Sequence, residues 1–231
     1  MKNNIIKSDL VYKANHGWLR SSHIFSFADY YDIENMGFGN MRVFNDDYIA
    51  GNSGFGIHPH SNMEILTIIL DGEITHGDTL GNKETISVGE IQTMSAGTGI
   101  NHSEENLSSK ETHLFQIWFL PLHIGNKPVY KKFKIYLVKN KLNLLASNNK
   151  DDTIGYLDSD VNVYRGIFEK GNSFDYKIEK RRGFFLYLNT GELEIEGEIL
   201  KAGDQLRFTD GKSYKINCIK ASDFVVVDVK I

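Results

Sequence analysis

The chain has 231 residues, 41% apolar and 24% charged, and its 26 Lys and Arg against 30 Asp and Glu leave a formal net charge of −4. That length allows one large β domain or two small ones, and the acidic balance gives no global attraction for nucleic acid or another polyanion. A single cysteine, Cys218, excludes an intrachain disulfide and fits a reducing compartment.

No apolar run approaches the ~20 residues that a membrane-spanning helix needs. The first ten residues lack the basic-then-apolar pattern of a secretory leader, so a soluble, cytoplasmic protein with no membrane partner is expected. Three prolines and 21 glycines, the glycines set between short apolar alternations, predict an all-β protein with tight turns. Residues 16–50, rich in aromatic and turn residues, read as short strands and loops wrapping a core. Gly51, Gly54 and Gly56 mark bends before a strand that carries His58 and His60. Residues 63–70 have strong β-propensity. Asp71-Gly72 reads as a hairpin turn into Glu73-Ile74-Thr75-His76, residues 78–82 as a polar turn, and residues 86–94 as a further strand. The small residues 95–99 let the backbone turn sharply before Asn101-His102. Residues 113–120 form an apolar strand that Pro121 ends.

Residues 123–134 read as a linker or boundary, followed by a second series of short strands and one short helix near residues 142–147. Within that series Gly191-Glu192-Leu193-Glu194-Ile195 echoes Gly72-Glu73-Ile74, and Ala202-Gly203-Asp204-Gln205-Leu206 echoes Val88-Gly89-Glu90-Ile91. The echo suggests a duplicated barrel, with domains at 1–125 and 126–231. No histidine follows His123, so the second barrel has no imidazole site. Six lysines among Tyr130, Phe133 and Tyr136 in residues 127–141 read as a solvated strand and linker face rather than a nucleic-acid surface. Asp158, Asp160, Glu192, Glu194, Glu196 and Glu198 read as an exposed acidic face.

Side chains two apart on a strand share a face. His58 therefore lies beside His60, and His102 beside Glu104. If the two strands face each other inside a barrel, three imidazoles meet one carboxylate. That set suits iron, manganese, nickel, copper or zinc, not an iron–sulfur cluster. His16, His23, His76, His113 and His123 read as structural or surface residues. Phe25, Phe27, Phe55, Met63 and Trp118 are core candidates that could also line an apolar pocket beside the metal.

The string from Gly54 to Glu64 (GFGIHPHSNME) and that from Met94 to Glu104 (MSAGTGINHSE) resemble the signature of the pirin family, part of the cupin superfamily. Asn15-His16-Gly17-Trp18-Leu19, Phe25-Ser26-Phe27-Ala28, Met36-Gly37-Phe38-Gly39 and Gln116-Ile117-Trp118 also resemble its bacterial branch of quercetin 2,3-dioxygenases. The resemblance is dense over residues 14–121. It implies two tandem cupin-type double-stranded β-barrels, a bicupin, with metal ligands His58, His60, His102 and Glu104. The wider superfamily takes its carboxylate from the position of Glu64. On a regular strand Glu64 lies about 13 Å beyond His60, which favours Glu104 as ligand and leaves Glu64 to orient an imidazole. The resemblance further implies one divalent transition metal per chain, iron by preference, and Glu104 as general base. The implied reaction is oxidative ring opening of a flavonol such as quercetin by dioxygen in a monomeric oxidoreductase. The alternative is a non-enzymatic metal-binding protein that regulates a protein partner.

Overall fold

Alternating apolar residues between glycine turns build strands along most of the chain. The computed structural model describes residues 5–151, 153–209 and 211–231, and among these the helical content is confined to two 3-10 turns, Ser8–Leu10 and Ile33–Asn35. By contacts the chain divides into two compact units, each discontinuous in sequence. One comprises residues 12–135 and 147–160, the other residues 1–11, 136–146 and 161–231. The units therefore interleave where the sequence suggests a single cut at 125/126.

In the first unit a seven-stranded sheet runs in the order Val129–Lys134, Glu90–Ser95, Glu64–Asp71, Thr112–Phe119, Met41–Ile49, Leu19–His23, Tyr12–Asn15. A four-stranded sheet runs Ser53–His60, Ile100–Asn106, Glu73–Asp78, Lys83–Ser87. Leu19, Ile49, Ile69 and Leu114 from the larger sheet pack against Ile74 and Ile86 from the smaller, with Trp18 and Phe55 at the edge. Burial of such branched side chains, each contributing about 1.5–3 kcal/mol, closes the two sheets on one another.

The second unit repeats the plan. Its larger sheet includes, in order, Ile5–Ile6, Gln205–Phe208, Arg182–Thr190, Ser222–Lys230, Val161–Phe168 and Leu142–Ser147. The smaller sheet runs Ser173–Lys177, Ser213–Cys218, Glu192–Ile195, Glu198–Lys201. Phenyl rings fill this barrel: Phe168, Phe174 and Phe224 lie within 5.2–5.4 Å of one another, centroid to centroid.

Several expectations are corrected by these pairings. Asp71-Gly72 is no hairpin turn, because the strands on either side belong to different sheets. Gly72 is a corner at φ 75°, and a Cβ there would lie 2.6 Å from the Thr112 hydroxyl. Gly191, its echo, marks the same corner in the second unit, between Arg182–Thr190 and Glu192–Ile195, at φ 96°. The expected linker contains a strand, Val129–Lys134, paired residue for residue with Glu90–Ser95. Residues 142–147 form a strand, not a helix. The Asn143 amide donates to Val138 O, Lys141 O and Arg165 O, and its carbonyl accepts from Val138 N. Such side-chain bonds to backbone outweigh the helix propensity of Leu and Ala. Asp158 is buried, not on an exposed face; its carboxylate accepts from Asn126 Nδ2 and the His123 backbone N–H. Among the described residues no helix is long and apolar enough to cross a membrane.

Candidate metal centre

The small sheet of the first unit brings the two histidine strands side by side. His102 stands directly opposite His58, and Ile100 opposite His60. Beyond His102 the register slips by one residue, so that Glu104 pairs with Phe55. This bulge needs a glycine next to it. A Cβ on Gly54 would lie 2.4 Å from the Glu104 carbonyl oxygen, and only hydrogen fits there.

The three rings form a triangle, with centroids 4.4 Å apart for His58 and His102, 4.9 Å for His58 and His60, and 5.0 Å for His60 and His102. One nitrogen from each lies within 4.8 Å of the others. Hydrogen bonding decides which nitrogen each ring has left. His58 Nδ1 donates to Gly56 O at 2.8 Å, so its proton sits on Nδ1 and Nε2 keeps a lone pair. Asp78 accepts from His76 Nε2 at 2.9 Å, which leaves His76 Nδ1 as an acceptor facing His102 Nδ1 at 3.5 Å. His102 Nε2 then carries a lone pair as well. The Nε2 atoms of His60 and His102 are buried and have no partner. His60 is held edge-on to Trp118, 4.7 Å between centroids.

Burial, with the neighbouring imidazoles second, lowers His60 to about 4 and His102 to about 3. Both rings are neutral at pH 7. Neutral imidazole is the form that binds a metal.

Glu104 points from the small sheet to the large one. Its Oε1 accepts from Gln92 Nε2 and, at 3.4 Å, Thr67 Oγ1; its Oε2 accepts from Gln116 Nε2 at 2.6 Å. Gln116 is fixed in turn by Trp118 Nε1, which donates to its Oε1 at 3.1 Å. Each carboxylate oxygen offers two lone pairs, so Oε2, with Gln116 as its one donor, retains capacity to accept. A Glu104 oxygen groups with His76 and His102 nitrogens within 4.8 Å, separately from the His58–His60–His102 group.

The expectation that Glu64 orients a ligand imidazole is not met. Asn62 takes a left-handed φ of 48°, and Glu64 opens a strand in the opposite sheet from His60. Its carboxylate instead accepts from Ser95 Oγ and from Asp158 N at 3.0 Å. His76 and Asp78 stand in the orienting position instead; the sequence reads His76 as a structural or surface residue and Asp78 as the start of a polar turn. Their own i, i+2 separation, the same as that of His58 and His60, was the available signal. Replacing His76 by Phe keeps a ring stacked on Tyr130, now 4.0 Å away, and removes the acceptor for His102 Nδ1. The expected result is metal affinity lower by roughly 10–100-fold in a protein that still folds, at some cost in stability from the lost bond to Asp78. A metal titration giving wild-type affinity would refute the relay.

A cavity of about 140 Å³ adjoins the cluster, lined in part by His58, His60, Glu104, Phe27, Phe55 and Trp118. Of the candidate lining residues, Phe25 lies in the core, and Met63 packs against Ile65, Met94 and Tyr130.

Two sandwiched antiparallel sheets, with a histidine cluster inside one barrel and none in the other, make this chain a protein of two cupin-type domains. Residues 6–119 match the family model described as Pirin, and residues 144–229 match that of the quercetinase C-terminal cupin domain. The chain belongs to the pirin family. It is 41% identical over 217 residues to the quercetin 2,3-dioxygenase of Escherichia coli (strain K12), covering 94% of each chain. It is 41% identical over 218 residues to a pirin-like protein of Caulobacter vibrioides, covering 93% of this chain and 94% of that one. The crystal structure of the bacterial pirin YhhW from Escherichia coli in complex with nickel(II) superposes with a TM-score of 0.93 at 39% identity, over 98% of both chains.

Proposed function

We propose that the protein is a metal-dependent dioxygenase that opens the ring of a flavonol such as quercetin with dioxygen, releasing carbon monoxide. The observation that carries this reading is the set of Nε2 atoms described above. Two are buried without a partner, and each of the three imidazoles is directed by a hydrogen bond or ring contact. Leaving such atoms unsatisfied costs about 1–3 kcal/mol apiece, and a cation at their focus removes that cost. The donor set, nitrogen and oxygen without sulfur, fits a divalent transition ion. The nickel(II) complex of the Escherichia coli relative supports the same reading; iron is the ion proposed here.

His58, His60 and His102 would hold the ion, and Glu104, on the same strand as His102, would complete the set. Bound there, the ion supplies Lewis acidity toward a substrate hydroxyl and the redox capacity that dioxygen chemistry requires. Glu104, pinned by two glutamine amides, receives the hydroxyl proton on a remaining lone pair. Phe27, Phe55 and Trp118 exclude water around the reacting ring. The relatives named quercetin 2,3-dioxygenase support the choice of substrate.

The test is aerobic decay of quercetin absorbance by protein purified without chelators, beside elemental analysis of the same sample. One divalent ion per chain and catalytic loss of the flavonol band are expected. Metal-replete protein that leaves the band unchanged in air refutes the assignment.

A further inference from the structure

The cavity beside the metal cluster has a second wall that the proposed reaction does not use. Strands Leu19–His23 and Met41–Ile49 pair so that Ser21 faces Asp47 and His23 faces Asn45. These are alternate residues on neighbouring strands, and all four line the cavity. Each is at most 4% exposed. Each also carries a buried polar atom without a hydrogen-bond partner: Ser21 Oγ, His23 Nδ1, Asn45 Oδ1 and Asp47 Oδ1. Burial raises the Asp47 carboxyl to about 7, and Ser21, which opposes that rise, does not bring its hydroxyl into hydrogen-bonding geometry. Four such orphans on one patch of one cavity are unusual in a native barrel, where buried polar atoms are nearly always paired.

The chemistry of the patch defines what would satisfy it. Asn45 Oδ1 accepts only, the Asp47 carboxyl accepts on both oxygens when ionised and keeps an accepting carbonyl oxygen when protonated, and Ser21 and His23 accept or donate according to rotamer and tautomer. Acceptors predominate, so the complementary ligand brings hydroxyl hydrogens. Phe27, Phe55 and Trp118 supply aromatic lining beside them. The His23 ring stands edge-on to Phe27 at 5.1 Å, and Phe27 edge-on to Trp118 at 5.3 Å, which gives the ligand flat apolar walls. Size sets the extent. A cavity of about 140 Å³ compares with the ~150 Å³ that holds one benzene. One six-membered ring fits inside, and the remainder of a larger substrate stays in the mouth.

We propose that Ser21, His23, Asn45 and Asp47 form a hydroxyl-reading wall that selects a single aromatic ring bearing hydroxyl groups on its rim. The inference rests on the cavity being the substrate site and deepens that reading. These four are specificity-determining residues that contact the far edge of the ring, away from the reacting atoms. The competing account is that ordered water alone satisfies the patch. The two accounts differ for a ring without hydroxyls, which would displace that water and strand the acceptors.

The experiment is calorimetric binding under nitrogen, with metal-loaded protein, of resorcinol and phloroglucinol against their methyl ethers. Their meta hydroxyls are poorly placed to chelate the ion, so binding reports on the wall. The hydroxylated rings should bind at least ~10-fold tighter than the ethers, because a site built for hydroxyls penalises ligands that leave its buried groups unpaired. Ser21→Ala and Asp47→Leu should reduce that preference severalfold, and Asp47→Asn should retain more of it than Asp47→Leu. Metal content must stay at one ion per chain in each variant. Ser21→Ala is small enough to keep the test usable if Asp47→Leu fails to fold. Equal binding of phenols and ethers, absence of binding by both, or an unchanged preference in the Ser21 and Asp47 variants overturns the wall. The reading of the reaction fails separately. A flavonol left intact in air beside a measurable hydroxyl preference removes the dioxygenase and keeps the wall, and turnover with an unaltered preference in the variants does the reverse.

Discussion

His60→Ala and Glu104→Gln should both slow flavonol consumption by orders of magnitude, and elemental analysis should separate them. Removing His60 takes away one of three imidazole nitrogens, so metal retention should fall by more than the ~100-fold that loss of an orienting partner can cause. Its turnover should fall with its metal content. Glu104→Gln keeps the three imidazoles and the shape of the side chain. The new amide would meet two glutamine amides already pointed at it, one of them fixed by Trp118. Gln92 can turn to resolve the clash, since its own Oε1 has no partner. The fold and most of the bound metal should therefore survive while proton acceptance is lost, with turnover lower by ~10²–10⁴-fold. If Glu104→Gln turns over at the wild-type rate, the carboxylate is not the base. If His60→Ala keeps a full complement of metal, the triangle of rings is not the site.

Glu64→Gln should change how stability depends on pH. Burial raises the Glu64 carboxyl to about 7, against bonds from Ser95 and Asp158 that lower it. The folded protein therefore holds a proton between pH ~4.5 and ~7 that the unfolded chain has released. Stability from this group is complete below the unfolded value and is lost as pH rises through 7. A rise of this size corresponds to about 3 kcal/mol. Relative to wild type, Glu64→Gln should gain stability steadily from pH 4.5 to 7 and level off above. Asp47, which burial also raises to about 7, works in the same direction. His60 and His102, which burial lowers, oppose it below their unfolded values. The difference between variant and wild type isolates Glu64. Urea melts of chelator-treated protein at several pH values would measure it, and a difference that does not vary with pH would refute the linkage.

Much of the fold was legible because it rests on local rules. Period-two alternation put His58 with His60 and His102 with Glu104, and the structure keeps both pairs on their shared faces. The echo of Gly72 in Gly191 marked a repeated corner, although its role as a passage between sheets was not visible. What failed were inferences that needed to know which sheet a strand joins. Four residues separate His60 from Glu64, yet the left-handed turn at Asn62 sends them to different sheets, so arithmetic along one strand could not place the glutamate. His76 and Asp78 were missed because their meaning depends on the strand Ile100–Asn106, which lies beside them only after the barrel closes. Asp158 was taken for a surface acid because nothing nearby in sequence shows that Asn126 and the His123 backbone donate to it. Asn45 and Asp47 gave no signal as a pair, since their partners across the ladder, His23 and Ser21, come from a separate strand.

The interleaving of the units bears on any attempt to take the molecule apart. Severing the polypeptide after residue 125 would strip Val129–Lys134 from Glu90–Ser95 and expose that strand's backbone as a sticky rim. The complementary fragment would lack Ile5–Ile6, which hydrogen-bonds with Gln205 and Leu206 at the margin of its own sheet. Neither half is released whole by one proteolytic nick, so autonomous folding of either barrel calls for stitching distant stretches together, not for trimming.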